Sequence, residues 1–196
     1  MPVNNLQEIL KIIDPKSDDE FYVIHLIKRR NDNPEMSHGQ RVIGRYTFSS
    51  AESLLRQFDD IKVICDATNA RAYINLTCQS KKRTSLNLLA KLADRIKQDN
   101  YESKNLFFSL TPDTRSKLSD KIWILDIDAD QLVWLEENQE RLLKNIDTLG
   151  GRFVAKLPSK SGYHIVCTPF NTHSMAGLLD VKLDIMKLNP TNLYIP

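Results

Sequence analysis

The sequence has few of the residues that cross-link or bend a chain: 3 cysteines, 6 glycines and 8 prolines among 196 residues. Cys65, Cys78 and Cys167 are odd in number, far apart and outside any C-x-x-C or Cys/His cluster, which argues against a disulfide framework or a structural zinc site. The low glycine and proline content, with 41% hydrophobic residues, excludes a collagenous or disordered chain. We therefore predict a folded protein of a reducing compartment, the cytoplasm.

Long apolar runs and an excess of one charge are also missing. No apolar run approaches about 18 residues, so we predict no membrane partner. The first residues lack the basic region and the small-residue cleavage site of a signal peptide. Lys and Arg number 27 against 25 Asp and Glu. This balance excludes a protein that holds nucleic acid by bulk charge, but not one with a local basic groove.

The spacing of apolar residues predicts alternating helices and strands. In the first half we expect a helix at 6–13, strands at 21–27 and 41–48, a short helix after Ser50, strands at 62–67 and 70–78, and an amphipathic helix at 85–97 with Leu86, Leu89, Ala93 and Ile96 on one face. In the second half we expect a strand at 122–127, a helix at 131–149 closed by Gly150-Gly151, strands at 152–157 and 162–168, a short helix at 172–179 and an extended piece at 193–195.

This order predicts a mixed α/β fold of the α+β class. The second half follows the split βαβ pattern of ferredoxin-like and RNA-recognition-like folds, and we expect it to pack against an N-terminal α/β unit. The polar, punctuated segment at 100–120 marks a boundary. We therefore predict units at 1–110 and 111–196, with one compact domain as the alternative.

The clearest chemical signal is the segment Trp-Ile-Leu-Asp-Ile-Asp at 123–128. Residues two apart on a strand share a face, so we expect Asp126 and Asp128 to project together. Two carboxylates held this close repel each other unless a cation lies between them, and such hard oxygen ligands suit Mg²⁺ or Mn²⁺. The alternative is that these acids only end a strand and cap the next helix.

A second signal is the basic turn Pro-Ser-Lys-Ser-Gly at 158–162, which leads into an apolar strand. Backbone N–H groups, hydroxyls and Lys160 could converge there on a phosphate. His164 lies in the apolar strand, where it either faces the site of Asp126 and Asp128 or is a core histidine satisfied by a neighbour. Asp184 is a third signal, either a further carboxylate of the site or an ordinary solvated acid.

Taken in order, these segments resemble the archaeo-eukaryotic primase superfamily, in its small primase and primase–polymerase catalytic domain. Asp126 and Asp128 match the D-x-D motif of that family, and Ser161, Gly162 and His164 match the motif that follows it. The resemblance covers residues 121–196. It therefore implies a primase-like catalytic half.

The match to the third motif depends on the register. Asp184 corresponds to the third acid if residues 189–196 form the closing segment, whereas another register would put Asn189 there, which carries no charge for a metal. The basic residue that the family has before the last proline is replaced by Tyr194-Ile195. One nucleotide contact of the family is therefore open to question.

The resemblance implies a metal-dependent nucleotidyltransferase, a DNA primase or polymerase that acts on single-stranded DNA in replication. It implies a two-metal site for Mg²⁺ or Mn²⁺ held by Asp126, Asp128 and Asp184, with Asp126, Asp128 and His164 as catalytic residues. The resemblance also implies that nucleotide is bound by Lys160, Ser161, Gly162 and His164. The implied partners are a single-stranded DNA template and nucleoside triphosphates, and a separate helicase is left open.

Other functions fit the same residues. A primase-like nucleic-acid-binding accessory protein with impaired catalysis is one, and a metal-dependent phosphodiesterase or nuclease is the other. A template would need basic surface, and the first half offers basic residues at 28–30, 41, 45 and 81–83. Tyr46, Phe48 and Tyr73 lie among them and could stack on bases. The basic residues are equally consistent with an ordinary solvated surface, and the aromatic residues with the hydrophobic core.

Overall fold

The structure is a computed structural model that describes residues 2–37, 39–103, 106–110, 121–176, 181–187 and 190–196. Within these residues, helices accompany two antiparallel sheets, which confirms the predicted α+β class. None of the described helices combines the length and apolar character needed to cross a membrane.

The elements of the first half alternate in type. They are β1 (Val3–Asn4), α1 (Leu6–Ile12), β2 (Glu20–Arg29), β3 (Gln40–Phe48), α2 (Ala51–Thr68), β4 (Arg71–Ile74), β5 (Gln79–Ser80), α3 (Lys81–Lys97) and α4 (Leu106–Leu110). The second half contains β6 (Trp123–Ile127), a 3-10 turn (Ala129–Gln131), α5 (Leu132–Thr148), β7 (Phe153–Pro158), β8 (Tyr163–Cys167), α6 (Thr172–Ala176), β9 (Asp184–Met186) and β10 (Thr191–Ile195).

Sheet 1 has the order β1-β10-β4-β2-β3, and β5 also pairs with β2. One face of this sheet carries Ile24, Leu26 and Ile74, which belong to a buried core that includes Leu54 and Phe58 of α2. The opposite face of the same strands carries His25, Arg71 and Tyr73 next to the buried Phe21 and Val23. Alternation along the strands therefore separates a core face from a face that is available to build a site.

Sheet 2 has the order β7-β8-β6-β9. Strand β8 lies between β6 and β7, the two strands that α5 connects, and it is antiparallel to both. Leu125, Ile165 and Cys167 face a second core with Leu135 and Leu142 of α5 and other buried residues. Val166 instead joins the core of sheet 1. The second sheet therefore presents the face that bears Val166 toward the first.

The prediction of strands at 62–67 and 70–78 is wrong for most of their length. Helix α2 continues to Thr68, and only Arg71–Ile74 is a strand within the second range. The β-branched residues of 61–64 suggested a strand, but Leu54, Phe58, Ile61 and Cys65 recur at helical spacing and are all buried. Burial of one face therefore decided the structure over local propensity.

The helix predicted at 85–97 is present, but its apolar face is exposed. Helix α3 begins earlier, after Ser80, whose hydroxyl accepts a hydrogen bond from the Arg83 backbone N–H at 3.1 Å. Leu86, Leu89 and Ile96 are exposed, and Thr84 is the buried residue of the helix in the part of the chain that the structure describes. The amphipathic spacing predicted the helix, but it did not show whether another element would cover the apolar face.

The last strand connects the two parts of the chain. Strand β10 pairs with β1 and β4 of sheet 1, although it follows all the strands of sheet 2 in sequence. The sheets are therefore not two consecutive segments of the chain. The predicted boundary at 110/111 adjoins residues 111–120, and part of the predicted 172–179 helix falls at 177–180; both segments lie outside the described residues.

Candidate active site

A row of side chains crosses all four strands of sheet 2. Leu157 on β7 is the register partner of His164 on β8. His164 is also the partner of Asp126 on β6, and Asp126 is the partner of Asp184 on β9. Directly opposed residues in antiparallel pairs point to the same face, with Cβ atoms about 5 Å apart. The register thus brings His164, Asp126 and Asp184 to one face.

The turn between β7 and β8 packs directly against the end of β6. A Cβ atom on Gly162 would lie 1.9 Å from the Ile127 carbonyl oxygen and 3.3 Å from the carbonyl carbon of Asp128. The turn is closed by the Ser159 backbone N–H, which donates to the Gly162 carbonyl at 2.9 Å, and by the Gly162 N–H, which donates to the Ser159 hydroxyl at 3.1 Å. Glycine at this position lets the two segments touch.

A cavity of about 400 Å³ lies between the two sheets and gathers most of the predicted site residues. From sheet 2 and its turn it is lined by Asp126, Asp128, Lys160, Ser161 and His164, among others. Gly162 and Asp184 are not among its lining residues. Gly162 instead holds the turn against β6, and Asp184 is exposed beside Asp126.

The other wall of the cavity comes from sheet 1 and the chain around β10, and sequence reasoning did not assign it to the site. Its residues include Ile27, Arg29, Gln40, Arg71, Tyr73, Met186, Pro190 and Asn192. Among these residues, the sequence indicated a nucleic-acid surface only at the basic Arg29 and the aromatic Tyr73. The local sequence motifs contain no signal for Arg71 or Asn192, because strand pairing across the molecule brings them here.

His164 is held from both sides inside the fold. Its Nδ1 lies 2.7 Å from the Thr191 hydroxyl on β10, and its Nε2 lies 3.4 Å from Asp126 Oδ1. The Thr191 hydroxyl can donate to this ring nitrogen or accept from it, so the contact is satisfied in either tautomer of His164. His164 is thus a satisfied buried histidine that also faces the carboxylate of the site, so the two predicted alternatives do not exclude each other.

Asp32, in the loop after β2, ties the two walls of the cavity together. Its side chain is 6% exposed and accepts hydrogen bonds from Arg71 Nε at 2.7 Å and Arg71 Nη2 at 2.8 Å, and it also pairs with Lys160. Burial raises the pKa of Asp32, but the bonds and charges of Arg71 and Lys160 outweigh it and hold the pKa below its usual value. Lys160, predicted to bind phosphate, is therefore already held by a carboxylate.

The donor chemistry of the cavity fits a hard divalent cation. Asp126 and Asp128 both line it, and Mg²⁺ typically takes one or two protein carboxylates together with substrate phosphates. Among the described residues, no group of three or more His, Cys, Asp or Glu side chains is gathered closely enough to hold a metal ion by itself.

The adjacent acids have different structural roles. The Asp128 backbone N–H donates to the Gln131 side-chain oxygen at 3.1 Å, and the Gln131 N–H donates to the Asp128 carbonyl at 3.0 Å, so Asp128 also begins the 3-10 turn. Asp130 lies within that turn and is exposed. The predicted capping role and a place in the cavity thus coexist at Asp128.

Comparison with known proteins adds no relative to this geometry. No family model matches the chain, and no curated protein or solved structure matches it either.

Proposed function

We propose that the chain is a cytoplasmic, metal-dependent nucleotidyltransferase of the primase–polymerase type, which acts on single-stranded DNA in replication. The observation that carries the proposal is the convergence of Asp126, Asp128, Lys160, Ser161 and His164 on one cavity. These residues come from two separate sequence motifs. Their meeting is expected for a site that holds a cation and a phosphate together.

The residues of the cavity divide into two chemical groups. Asp126 and Asp128, with Asp184 beside them, would hold Mg²⁺ or Mn²⁺, which would supply charge neutralisation for a triphosphate and activation of an attacking hydroxyl. Lys160 and Ser161 offer a cation and a hydroxyl to phosphate oxygens. His164 orients the Asp126 carboxylate through its contact at 3.4 Å.

The test is nucleotide incorporation on a primed or unprimed single-stranded template with Mg²⁺ or Mn²⁺. We expect the double variant Asp126→Asn/Asp128→Asn to lose at least about 100-fold in rate, equivalent to about 2.7 kcal/mol of transition-state stabilisation. Asp130→Asn is the matched control, because Asp130 is exposed and does not line the cavity. Full incorporation by the double variant would contradict the proposal.

One observation favours a second candidate, an accessory protein that binds nucleic acid without catalysis. The described part of the chain holds no ready cluster of three metal-ligating side chains. An accessory protein would bind single strands but show no rise in melting temperature with Mg²⁺ and nucleoside triphosphate together, whereas the proposed enzyme would. Shortening of a labelled strand in the same reaction would instead indicate a nuclease that uses the same carboxylates.

A further inference from the structure

The wall of the cavity that sheet 1 provides carries an arginine outside the motifs of the site. Arg29 on β2 is the register partner of Gln40 on β3, and Ile27 on β2 is the partner of Arg71 on β4. Ile27 and Arg29 share a face of β2, because they are two residues apart. All four residues line the cavity, in the wall across from the carboxylates of sheet 2. Strand pairing therefore places two arginines in this wall.

We infer that Arg29 binds the phosphate chain of a nucleoside triphosphate in this cavity, and that it contributes more to this binding than Lys160 does. The inference rests on the proposed function, because it names a residue that would hold the substrate of that enzyme. It departs from the resemblance to primases, which implies Lys160 as a nucleotide-binding residue and not Arg29. In this arrangement Asp126 and Asp128 hold the cation of the magnesium complex, and Arg29 contacts phosphate oxygens.

Lys160 and Arg71 are already paired with the same carboxylate. Arg71 donates to Asp32 through Nε at 2.7 Å and through Nη2 at 2.8 Å, and Lys160 pairs with Asp32 from the turn of sheet 2. The Asp32 side chain is 6% exposed, so a phosphate that drew either cation away would leave a buried carboxylate with fewer partners. This cost would offset part of what the phosphate gains. The charge of Lys160 is therefore less available than its motif suggests.

Arg29 is held by a neutral group instead. Its Nη1 donates to the Tyr73 hydroxyl at 3.3 Å, and within the part of the chain that the structure describes no carboxylate forms an ion pair with it. A guanidinium has five N–H donors in a planar fork, so one bond to a hydroxyl leaves most of them for phosphate oxygens. Arginine also binds phosphate through two parallel hydrogen bonds, whereas lysine acts as a point charge. Arg29 thus combines a fixed position with an uncompensated charge.

The surroundings of Arg29 favour a small ligand over a long one. Arg29 and Tyr73 are both partly buried, and Ile27 adds an apolar side chain to the same wall. Ionic contacts in a partly buried site are screened less by salt than contacts on an open surface. The cavity has a volume of about 400 Å³, within the range of about 300–1,000 Å³ for small-molecule sites. A single nucleotide therefore suits it better than an extended strand, which needs a groove along several nucleotides.

The experiment is titration calorimetry of the full chain with a nonhydrolysable nucleoside triphosphate and Mg²⁺. We expect Arg29→Gln to raise Kd at least about tenfold, equivalent to about 1.4 kcal/mol, and Lys160→Gln to raise it less than about threefold. Arg41→Gln is the matched control, because Arg41 opposes Lys28, whose side chain lies on the other side of β2 from Arg29. Its Kd should equal that of the unmodified protein. A larger rise in Lys160→Gln than in Arg29→Gln would overturn the inference.

Inorganic tripolyphosphate with Mg²⁺ identifies the part of the nucleotide that Arg29 contacts. We expect Arg29→Gln to weaken the binding of tripolyphosphate by the same factor, because the contact is to phosphate alone. A loss confined to the nucleoside triphosphate would place Arg29 against the base or the sugar and would overturn the inference.

Two milder variants keep the test decisive should Arg29→Gln fail to fold, which circular dichroism melting would show. Arg29→Lys keeps the charge but not the planar fork, and Tyr73→Phe keeps the ring but not the hydroxyl that holds Arg29. We expect each variant to raise the Kd for the triphosphate about threefold. An unchanged Kd in both variants would contradict the role of Arg29.

The outcomes separate this inference from the proposed function. Triphosphate binding that depends on Arg29, in a protein that incorporates no nucleotide, would support the role of Arg29 and contradict the enzyme. Incorporation with an unchanged KM in Arg29→Gln would do the reverse. A loss confined to the binding of a labelled oligodeoxythymidine would place Arg29 in a surface for nucleic acid and overturn the inference. Absence of triphosphate binding by the unmodified protein would overturn both.

Discussion

Replacement of Gly162 by alanine should separate the two motifs of the site. The new Cβ would lie 1.9 Å from the Ile127 carbonyl oxygen, whereas ordinary van der Waals contact begins near 3.4 Å. The obstructing atom is backbone in a buried central strand, so no side chain can rotate away. Strands β6 and β8 would have to move apart by about 1.5 Å at this point, or the turn would have to rebuild.

The cost of such overpacking is typically 1–3 kcal/mol, and the backbone contact places Gly162→Ala at about 3 kcal/mol. With a urea dependence of about 2 kcal/mol per molar, the unfolding midpoint should fall by about 1.5 M. Tryptophan fluorescence is a suitable probe, because Trp123 and Trp134 both pack on the core of sheet 2.

Gly39→Ala is the matched control. A Cβ atom at Gly39 would meet nothing within 4 Å, so the free energy of unfolding of this variant should stay within about 0.5 kcal/mol of that of the unmodified protein. Equal midpoints for Gly162→Ala and the unmodified protein would refute the reasoning, because the close approach to Ile127 would then not exist. Comparable loss in both glycine variants would point to a backbone effect that has nothing to do with the site.

Three further changes test the contacts around the cavity. Thr191→Val keeps the shape of the side chain but leaves His164 Nδ1 without its partner, and should cost about 1–3 kcal/mol in urea unfolding. Asp32→Asn removes the charge bound by Arg71 and should cost about 2 kcal/mol at pH 7. The pKa of Asp32 is lower in the folded protein than the unfolded value of about 3.9. The stabilisation by Asp32 is therefore complete above about pH 3.9 and is lost as the pH falls below that value. The stability difference between the variant and the unmodified protein should thus shrink in melts below about pH 4. Burial raises the pKa of the Cys65 thiol to about 12, so iodoacetamide should modify it only in the denatured protein, as mass spectrometry would show.

Local sequence signals predicted the ends of elements better than their interiors. Ser50 does begin α2, with its hydroxyl accepting from the Ser53 N–H at 3.1 Å, and Gly150 adopts a positive φ of 89° after α5. Caps depend on a few neighbouring atoms, which the sequence states directly. The strand predicted at 62–67 depended instead on propensity, and burial of Ile61 and Cys65 on one helical face overrode it.

The candidate site shows the same division between local and distant information. The spacing of Asp126 and Asp128 was readable because two residues on one strand share a face. Nothing local predicts that Thr191 would reach His164 from the other sheet, or that Asp32 would bind Arg71 and Lys160 at once. In sequence, Asp32 belongs to an Asn-Asp-Asn-Pro turn and is typical of turn chemistry. The residues that Asp32 binds are determined by how distant segments of the chain pack in the folded protein.

The charges around the cavity lead to a last prediction, which concerns the order of binding. Arg29, Arg71 and Lys160 supply three positive charges, and Asp32, Asp126 and Asp128 supply three negative ones, so the formal charges of these six side chains cancel. A nucleoside triphosphate carries several negative charges and would meet two carboxylates that no cation neutralises. We therefore expect its binding to require a divalent ion.

Titration calorimetry should thus detect a nonhydrolysable triphosphate with Mg²⁺ and not with EDTA, with a difference of at least about tenfold in Kd. Equal triphosphate affinity with Mg²⁺ and with EDTA would mean that Lys160 and Arg71 leave Asp32 to bind the phosphates, and Asp126 and Asp128 would then have no role in holding a cation.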